Sequence, residues 1–155
     1  MENIYELLRD DNSSDCLLVL LATHFIFEVY EPLSKLTKWS RYMQDYQKFI
    51  SPYQYSTDAV DEVKQLLQEA GFVDCHVECR NEVFVYEGAQ LTRDIFKSIC
   101  PFFERIPAEQ HEEFLSDYFD ALVNMNYRRS IEGSDDYNFV TPHKLLIIHA
   151  RKYKN

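Results

Sequence analysis

Two short, uninterrupted apolar runs constrain the fold of this chain more than any other feature. Residues 16–22 are CLLVLLA and residues 145–148 are LLII. Apolar runs of this length are typical of strands that are buried on both faces, as in parallel sheets. Such strands need neighbours on both sides, yet the only other clear strand is 73–79, with 82–86 as an extension. The sequence therefore predicts more sheet than the chain itself supplies.

The segments between the strands have helical periodicity. Helices are predicted at 4–8, at 23–33 near Pro32, at 60–70 before Gly71, at 89–100 before Pro101, and from Pro107 through residue 123. Residues 10–14 and 128–138 are predicted as polar loops. The order α-β-α-α-β-α-α-β indicates an α/β fold with about three strands, where five or so is typical. We therefore interpret residues 1–155 as a partial domain, the C-terminal portion of a larger α/β fold.

Residues 38–55 concentrate aromatic side chains, including the single tryptophan. Two sets of residues repeat at helical spacing and predict one broad aromatic helix face ended by Pro52. The first set is Trp39, Met43, Tyr46 and Ile50, and the second is Tyr42, Tyr46, Phe49 and Tyr53. Such rings could fill a core, line a pocket or meet a partner, and the spacing alone does not choose among these roles.

Charge and composition exclude several classes of function. The formal net charge is −10, and such a surface repels nucleic-acid backbones and anionic membranes. No apolar run reaches the roughly 18 residues that a membrane span needs. The first residues, MENIYELL, lack the basic region and apolar core of a signal peptide. We therefore expect a cytoplasmic protein that binds neither nucleic acid nor membrane.

The sequence predicts neither a metal site nor a catalytic residue. Strand alternation would place Cys75 and Cys79 on one face with Val73 and Val77, and His76 on the other, so zinc would lack its four ligands. Reduced structural thiols are the expected role of the cysteines. No glycine-rich phosphate loop or nucleophile elbow is present. His24 follows the first buried strand, at the end where α/β sheets bind ligands, and is either a substrate contact or a structural histidine.

Several segments resemble the arthropod juvenile hormone acid O-methyltransferases. They are NIYELL, DCLLVLLATHFIFEVYEPLSK, KWSRYMQDYQKFISPYQYS, PFFERIPAEQHEEFLSDYFDAL and PHKLLIIHARK. The resemblance covers essentially the whole chain but only the C-terminal half of the family. It implies that the chain is part of a class I S-adenosylmethionine-dependent methyltransferase, whose fold is a Rossmann-like sheet of seven strands. Enzymes of this family esterify the carboxylate of farnesoic or juvenile hormone acid. The first strands would be missing, the fifth would lie at 16–22, and an antiparallel pair would lie at about 73–86 and 144–150.

The resemblance also implies a site. Residues at about 24–55 would form a helical cap segment over an apolar slot for the isoprenoid acid. The candidate substrate contacts are Trp39, Tyr42, Tyr46, Tyr53, His24 and Phe25, although an aromatic stripe can equally pack the cap onto the sheet. S-adenosylmethionine would serve the complete fold. Its glycine-rich loop belongs to the missing strands, so this chain alone is not expected to bind it.

Two functions follow from these expectations. In the first, the chain is part of a methyltransferase and is inactive alone. In the second, it is a non-catalytic binder of an apolar isoprenoid acid, or a partner-dependent half-domain. In either case its exposed strand edges would favour a completing chain or self-association.

Overall fold

The computed structural model describes residues 1–10 and 14–153, and it confirms an α/β fold. The turn predicted at 10–14 lies largely outside these residues. The elements are α1 Glu2–Leu7, β1 Asp15–His24, α2 Phe25–Ser34, α3 Thr37–Ser40, a 3-10 turn Tyr46–Phe49, α4 Ala59–Glu69, β2 Phe72–Tyr86, α5 Ala89–Ile99, 3-10 turns Phe103–Arg105 and Ala108–Gln110, α6 His111–Asn124, β3 Arg128–Ser130 and β4 Tyr137–Lys152. Among the described helices, none has the length and apolarity that crossing a membrane requires.

The three long strands have the order β1-β4-β2, so β1 and β2 are the two edges and β4 is central. The Lys152 N–H donates to the Ser14 carbonyl (3.0 Å), and the Cys16 thiol interacts with the backbone of Ala150. These contacts pair the start of β1 with the end of β4, so the two strands are antiparallel. The predicted pairing of 73–86 with 144–150 is also confirmed.

A short hairpin occupies part of the segment predicted as a polar loop. β3 pairs antiparallel with the start of β4, with Arg128 opposite Phe139 and Ser130 opposite Tyr137. The loop prediction for 128–138 is therefore wrong at both ends. Arg128–Ser130 carry no apolar alternation, so their pairing depends on the neighbouring strand and not on a local pattern.

The chain forms two compact units. Unit 1 comprises residues 1–23, 51–82 and 143–155, and unit 2 comprises residues 24–50 and 83–142. In unit 1, α4 packs one apolar face on the strands. Its N-cap is Asp58, whose side chain accepts the Asp61 N–H (3.1 Å). Gly71 follows with φ +93°, as the sequence predicted. The core contains Ala22, Tyr53, Val63, Leu67, Phe72, Val77, Leu146, Ile148 and Ala150.

Unit 2 has a core built mainly from aromatic rings. Phe25 makes edge-on contacts with Phe96 and Tyr86, at ring-centroid distances of 5.5 and 5.8 Å. Edge-to-face contacts of this kind contribute stability beyond the buried area. The core also contains Val29, Tyr30, Leu33, Trp39, Met43, Phe102, Phe114, Leu115, Tyr118, Leu122 and Phe139.

The single aromatic helix predicted across residues 39–53 does not form. α3 has four residues, and a separate 3-10 turn follows at 46–49. Arg105 donates to the Tyr42 carbonyl (3.2 Å) and forms an ion pair with Asp45, which fixes a turn between the two pieces. Aromatic side chains lose rotamer freedom in helices, so the local helix preference is too weak to oppose these contacts.

Two other expectations need correction. Val73 does not share a face with Val77, because Asp74 has φ +48° and breaks the alternation, so that Phe72 is buried and Val73 is 39% exposed. The long helix begins at His111, not at Pro107, which has an extended backbone before a 3-10 turn.

Candidate functional site

Trp39 is a buried member of the unit 2 core. Its side chain is 1% exposed and its ring meets Phe114 edge-on, 5.2 Å between centroids. The Nε1–H donates to Asp117 Oδ2 (2.6 Å), and Lys38 Nζ lies 2.7 Å from the same carboxylate. Trp39 is therefore held by both packing and a charge-assisted hydrogen bond.

Tyr42 and Tyr46 are half-buried at the border of the same core. The Arg41 guanidinium lies over the Tyr42 ring, 4.5 Å from its centroid. These two rings keep part of their surface available, unlike Trp39.

His24 and Phe25 lie where β1 ends and α2 begins. His24 is the N-cap of α2, and its Nδ1 accepts the Ile26 N–H (3.3 Å), so the proton of a neutral ring is on Nε2. The His24 ring lies 4.6 Å from the Phe25 ring. Phe25 is fully buried. The sequence predicted their position at the strand end, but the capping role was missed.

Tyr118 has a buried hydroxyl that lacks a hydrogen-bond partner among the described residues, a feature that the helical periodicity of the sequence could not predict. Its hydroxyl is the buried side-chain polar atom that finds no hydrogen-bond partner within the described structure. Burial raises the pKa of Tyr118 well above its ordinary value. Nearby, burial and a hydrogen bond to Glu28 (2.8 Å) raise the pKa of Tyr127 to about 12. Tyr118 is thus a buried tyrosine whose hydroxyl has no hydrogen-bond partner among the described residues, whereas Tyr127, which packs against the same core, has one.

Tyr53 belongs to the core of unit 1, whereas the other five candidates lie within residues 24–46 of unit 2. It lines a cavity of about 140 Å³ together with Ala22, Thr23, Cys79, Lys144 and residues 56–60. Burial, and then the charge of Glu62, raises the pKa of Tyr53. The structure therefore does not bring all six predicted contacts together in one described cavity.

The strand β1 exposes one apolar face. Leu17, Val19 and Leu21 are 68%, 57% and 41% exposed, whereas on the opposite face Leu18 and Ala22 pack in the unit 1 core and Leu20 is 37% exposed. Leu145 and Ile147 of the adjacent strand β4 are only half-buried. We call Leu17, Val19, Leu21, Leu145 and Ile147 the apolar sheet face. The prediction that β1 is buried on both faces is wrong for the described residues, because no other described element packs on this face of β1.

The thiols and acidic groups show no arrangement for metal chemistry. The four cysteines are free, and burial raises the pKa of the Cys100 thiol to about 11. Across residues 1–10 and 14–153, no three His, Cys, Asp or Glu side chains cluster closely enough to hold a metal ion. A thiol with a raised pKa is a poor nucleophile at neutral pH.

Comparison with known proteins gives two clear relatives. The chain is 48% identical over 150 residues to a Drosophila melanogaster protein named juvenile hormone acid O-methyltransferase. The matched region covers 97% of this chain and 50% of the fly protein. The chain is 33% identical over 152 residues to a Bombyx mori protein of the same name, covering 97% of this chain and 53% of the silkworm protein. The chain thus spans about half the length of these relatives. No protein-family profile matches it.

Proposed function

We propose that this chain belongs to the juvenile hormone acid O-methyltransferases, two of which match it at 48% and 33% identity, and that it supplies the C-terminal, substrate-side half of such an enzyme. The complete protein would transfer a methyl group from S-adenosylmethionine to the carboxylate of a farnesoic or juvenile hormone acid-like substrate. The chain alone would be inactive. The cytoplasmic location expected from the sequence remains a prediction.

The apolar sheet face is the observation that supports this proposal best. In α/β proteins both faces of the sheet are covered by helices. Within the part of the chain that the structure describes, β1 is an edge strand with unpaired backbone groups on one side, and its apolar face is uncovered. An open edge beside an open apolar face is an aggregation hazard in a finished protein. The half of the relatives that this chain does not match is the occupant we propose for both surfaces.

The described residues do not fit S-adenosylmethionine. A Rossmann-type cofactor site needs a glycine-rich turn between a strand and a helix. The only described strand–glycine–helix turn is that of Gly88, between β2 and α5. There the Gly88 N–H donates to Asn138 Oδ1 (3.0 Å) and the Ala89 N–H to Asp136 Oδ1 (2.9 Å). A Cβ at Gly88 would lie 3.2 Å from Asp136, so this helix start is already occupied by side chains.

The contribution of this chain would then be to the acid substrate. Tyr42 and Tyr46 have open surface that an isoprenoid chain can contact, so we propose them as direct contacts. Trp39 and Phe25 have almost none, so they would act by holding the rings and backbone around them. His24 and Tyr53 complete the proposed set.

The test is reconstitution from two chains. The 155-residue chain would be co-expressed with the part of the fly relative that it does not match. Transfer of a labelled methyl group to farnesoic acid would be measured for the pair and for each chain alone. We expect association and activity for the pair only.

Two other outcomes would count against the proposal. Activity of the chain alone would show that the cofactor site is present after all. Binding of farnesoic acid by an isolated, monomeric chain, detected through Trp39 fluorescence, without association or activity of the pair, would support the alternative function of a non-catalytic binder.

A further inference from the structure

Helix α5 of unit 2 carries a row of apolar side chains that the described residues leave uncovered. Leu91, Ile95 and Ile99 repeat every four residues along the helix, so they share one face of it. Leu91 is 56% exposed, Ile99 is 50% exposed, and Ile95 is half-buried. Within the part of the chain that the structure describes, α5 is the only helix with two large apolar side chains at least half exposed. We call these three residues the α5 stripe.

The side of α5 that packs in unit 2 is a different one. Thr92 and Phe96 are its buried residues, and the Phe96 ring belongs to the aromatic core. Arg93 forms an ion pair with Glu112 of α6, with 2.6 Å between Nη2 and Oε2. At about 100° per residue, Arg93 lies roughly 160° around the helix from Ile95. The contact with α6 is therefore on the opposite side of α5 from the stripe.

The apolar arc of α5 is wider than the part of it that is buried. From Leu91 to Phe96 the arc spans roughly 140° of the helix circumference, and the polar residues Gln90 and Asp94 lie outside it. An amphipathic helix normally turns an arc of this kind toward a core. The pattern of α5 thus predicts burial for side chains that are exposed among the described residues, as the pattern of β1 does in unit 1.

The size of the α5 stripe limits what can cover it. A stable interface between separate proteins buries about 800 Å² on each partner, some 20–30 residues a side. A row of three side chains is far smaller, so it cannot hold a second copy of this chain by itself. It fits a further contact of a partner that is already bound through a larger surface. The fly relative has about as many residues outside the matched region as inside it, which is enough chain to reach more than one surface.

We propose that the half of the relatives that this chain does not match, here called the completing half, covers the α5 stripe as well as the apolar sheet face. The segment of the completing half that meets α5 would present apolar side chains, since the stripe carries no charge or hydrogen-bonding group. This inference rests on the proposed function, because it requires that the completing half binds. It adds a contact in unit 2 that the apolar sheet face, which lies in unit 1, does not supply.

The test is the dissociation constant between the chain and the part of the fly relative that it does not match, measured by calorimetry. The variant is the double substitution Leu91→Gln and Ile99→Gln, because glutamine is a good helix former and should keep α5 intact. With about half of each side chain left to cover, the double variant should bind about 30-fold more weakly. The matched control is Leu66→Gln on α4, where the side chain is 43% exposed, and it should change the dissociation constant less than about threefold. Circular dichroism of each variant would verify that its helix content is retained.

The possible failures are distinguishable. If the unmodified chains associate and the double variant binds as tightly, this inference is overturned and the proposed function stands. Equal weakening by Leu66→Gln would also overturn it, because the effect would not be specific to the stripe. If the chain alone forms dimers in sedimentation and the double variant is monomeric, the stripe is a contact between copies. If the unmodified chains do not associate at all, the proposed function fails together with this inference.

Discussion

The apolar sheet face gives a quantitative prediction about association with the completing half. The perturbation is the triple variant Leu17→Thr, Val19→Thr and Leu21→Thr. Threonine favours strands, so β1 should keep its backbone. Full burial of a leucine or valine contributes about 1.5–3 kcal/mol. With exposures of 68%, 57% and 41%, covering the three side chains contributes about 3 kcal/mol together. The triple variant should therefore bind the completing half about 100-fold more weakly.

The assay is the dissociation constant between the two chains, measured by calorimetry with the labelled-methyl assay alongside. Circular dichroism of the isolated variant would verify that its secondary structure is retained. The matched control is Val73→Thr on the opposite edge strand β2, where the side chain is 39% exposed. It should change the dissociation constant less than about threefold.

The reasoning fails if the triple variant binds as tightly as the unmodified chain. The open face would then be a surface that no partner covers. Equal weakening by Val73→Thr would also contradict it, because the effect would not be specific to β1.

Three further predictions concern the chain itself and use urea unfolding. Tyr118→Phe should raise the free energy of unfolding by about 1 kcal/mol, because it removes an unsatisfied buried hydroxyl, whereas Tyr127→Phe should lower it by about 1 kcal/mol through loss of the bond to Glu28. Trp39→Phe should lower it by about 2 kcal/mol, because the bond to Asp117 and part of the ring contacts are lost, measured by circular dichroism. Hydrogen bonds from the Ala89 and Tyr137 amides hold the pKa of Asp136 below its ordinary value. The stability that Asp136 adds over Asp136→Asn should be complete above the ordinary aspartate pKa of about 3.9 and should disappear as the pH falls through the lowered value. A difference that grows toward low pH would contradict this assignment.

The sequence predicts the regular elements well where local pattern and tertiary structure agree. The run 16–22 forms β1, and the Asp58 cap and Gly71 delimit α4. The same run also led to the conclusion that the chain is part of a larger fold. The apolar pattern of β1 predicts burial on both faces, whereas Leu17, Val19 and Leu21 are exposed among the described residues, and the proposed completing half would cover them.

Other features could not be read from local pattern. The break at Asp45 depends on Arg105, which lies 60 residues away in the chain. The β3 pairing depends on β4, and the positive φ of Asp74 is a single-residue event. In the candidate site, the grouping of Tyr53 with Lys144 and the start of α4 required the fold, because these residues come from three separate segments.

The central position of β4 affects when this protein can fold during synthesis. β1 and β2 are both made well before β4, yet each pairs with β4 and not with the other. The ladder hydrogen bonds of both earlier strands with β4 must therefore wait until residues 137–152 have left the ribosome. Contacts between segments so distant in sequence also form slowly. During this interval the apolar residues of β1 and β2 are without their partner strand, and transiently exposed apolar strands of this kind are prone to aggregation.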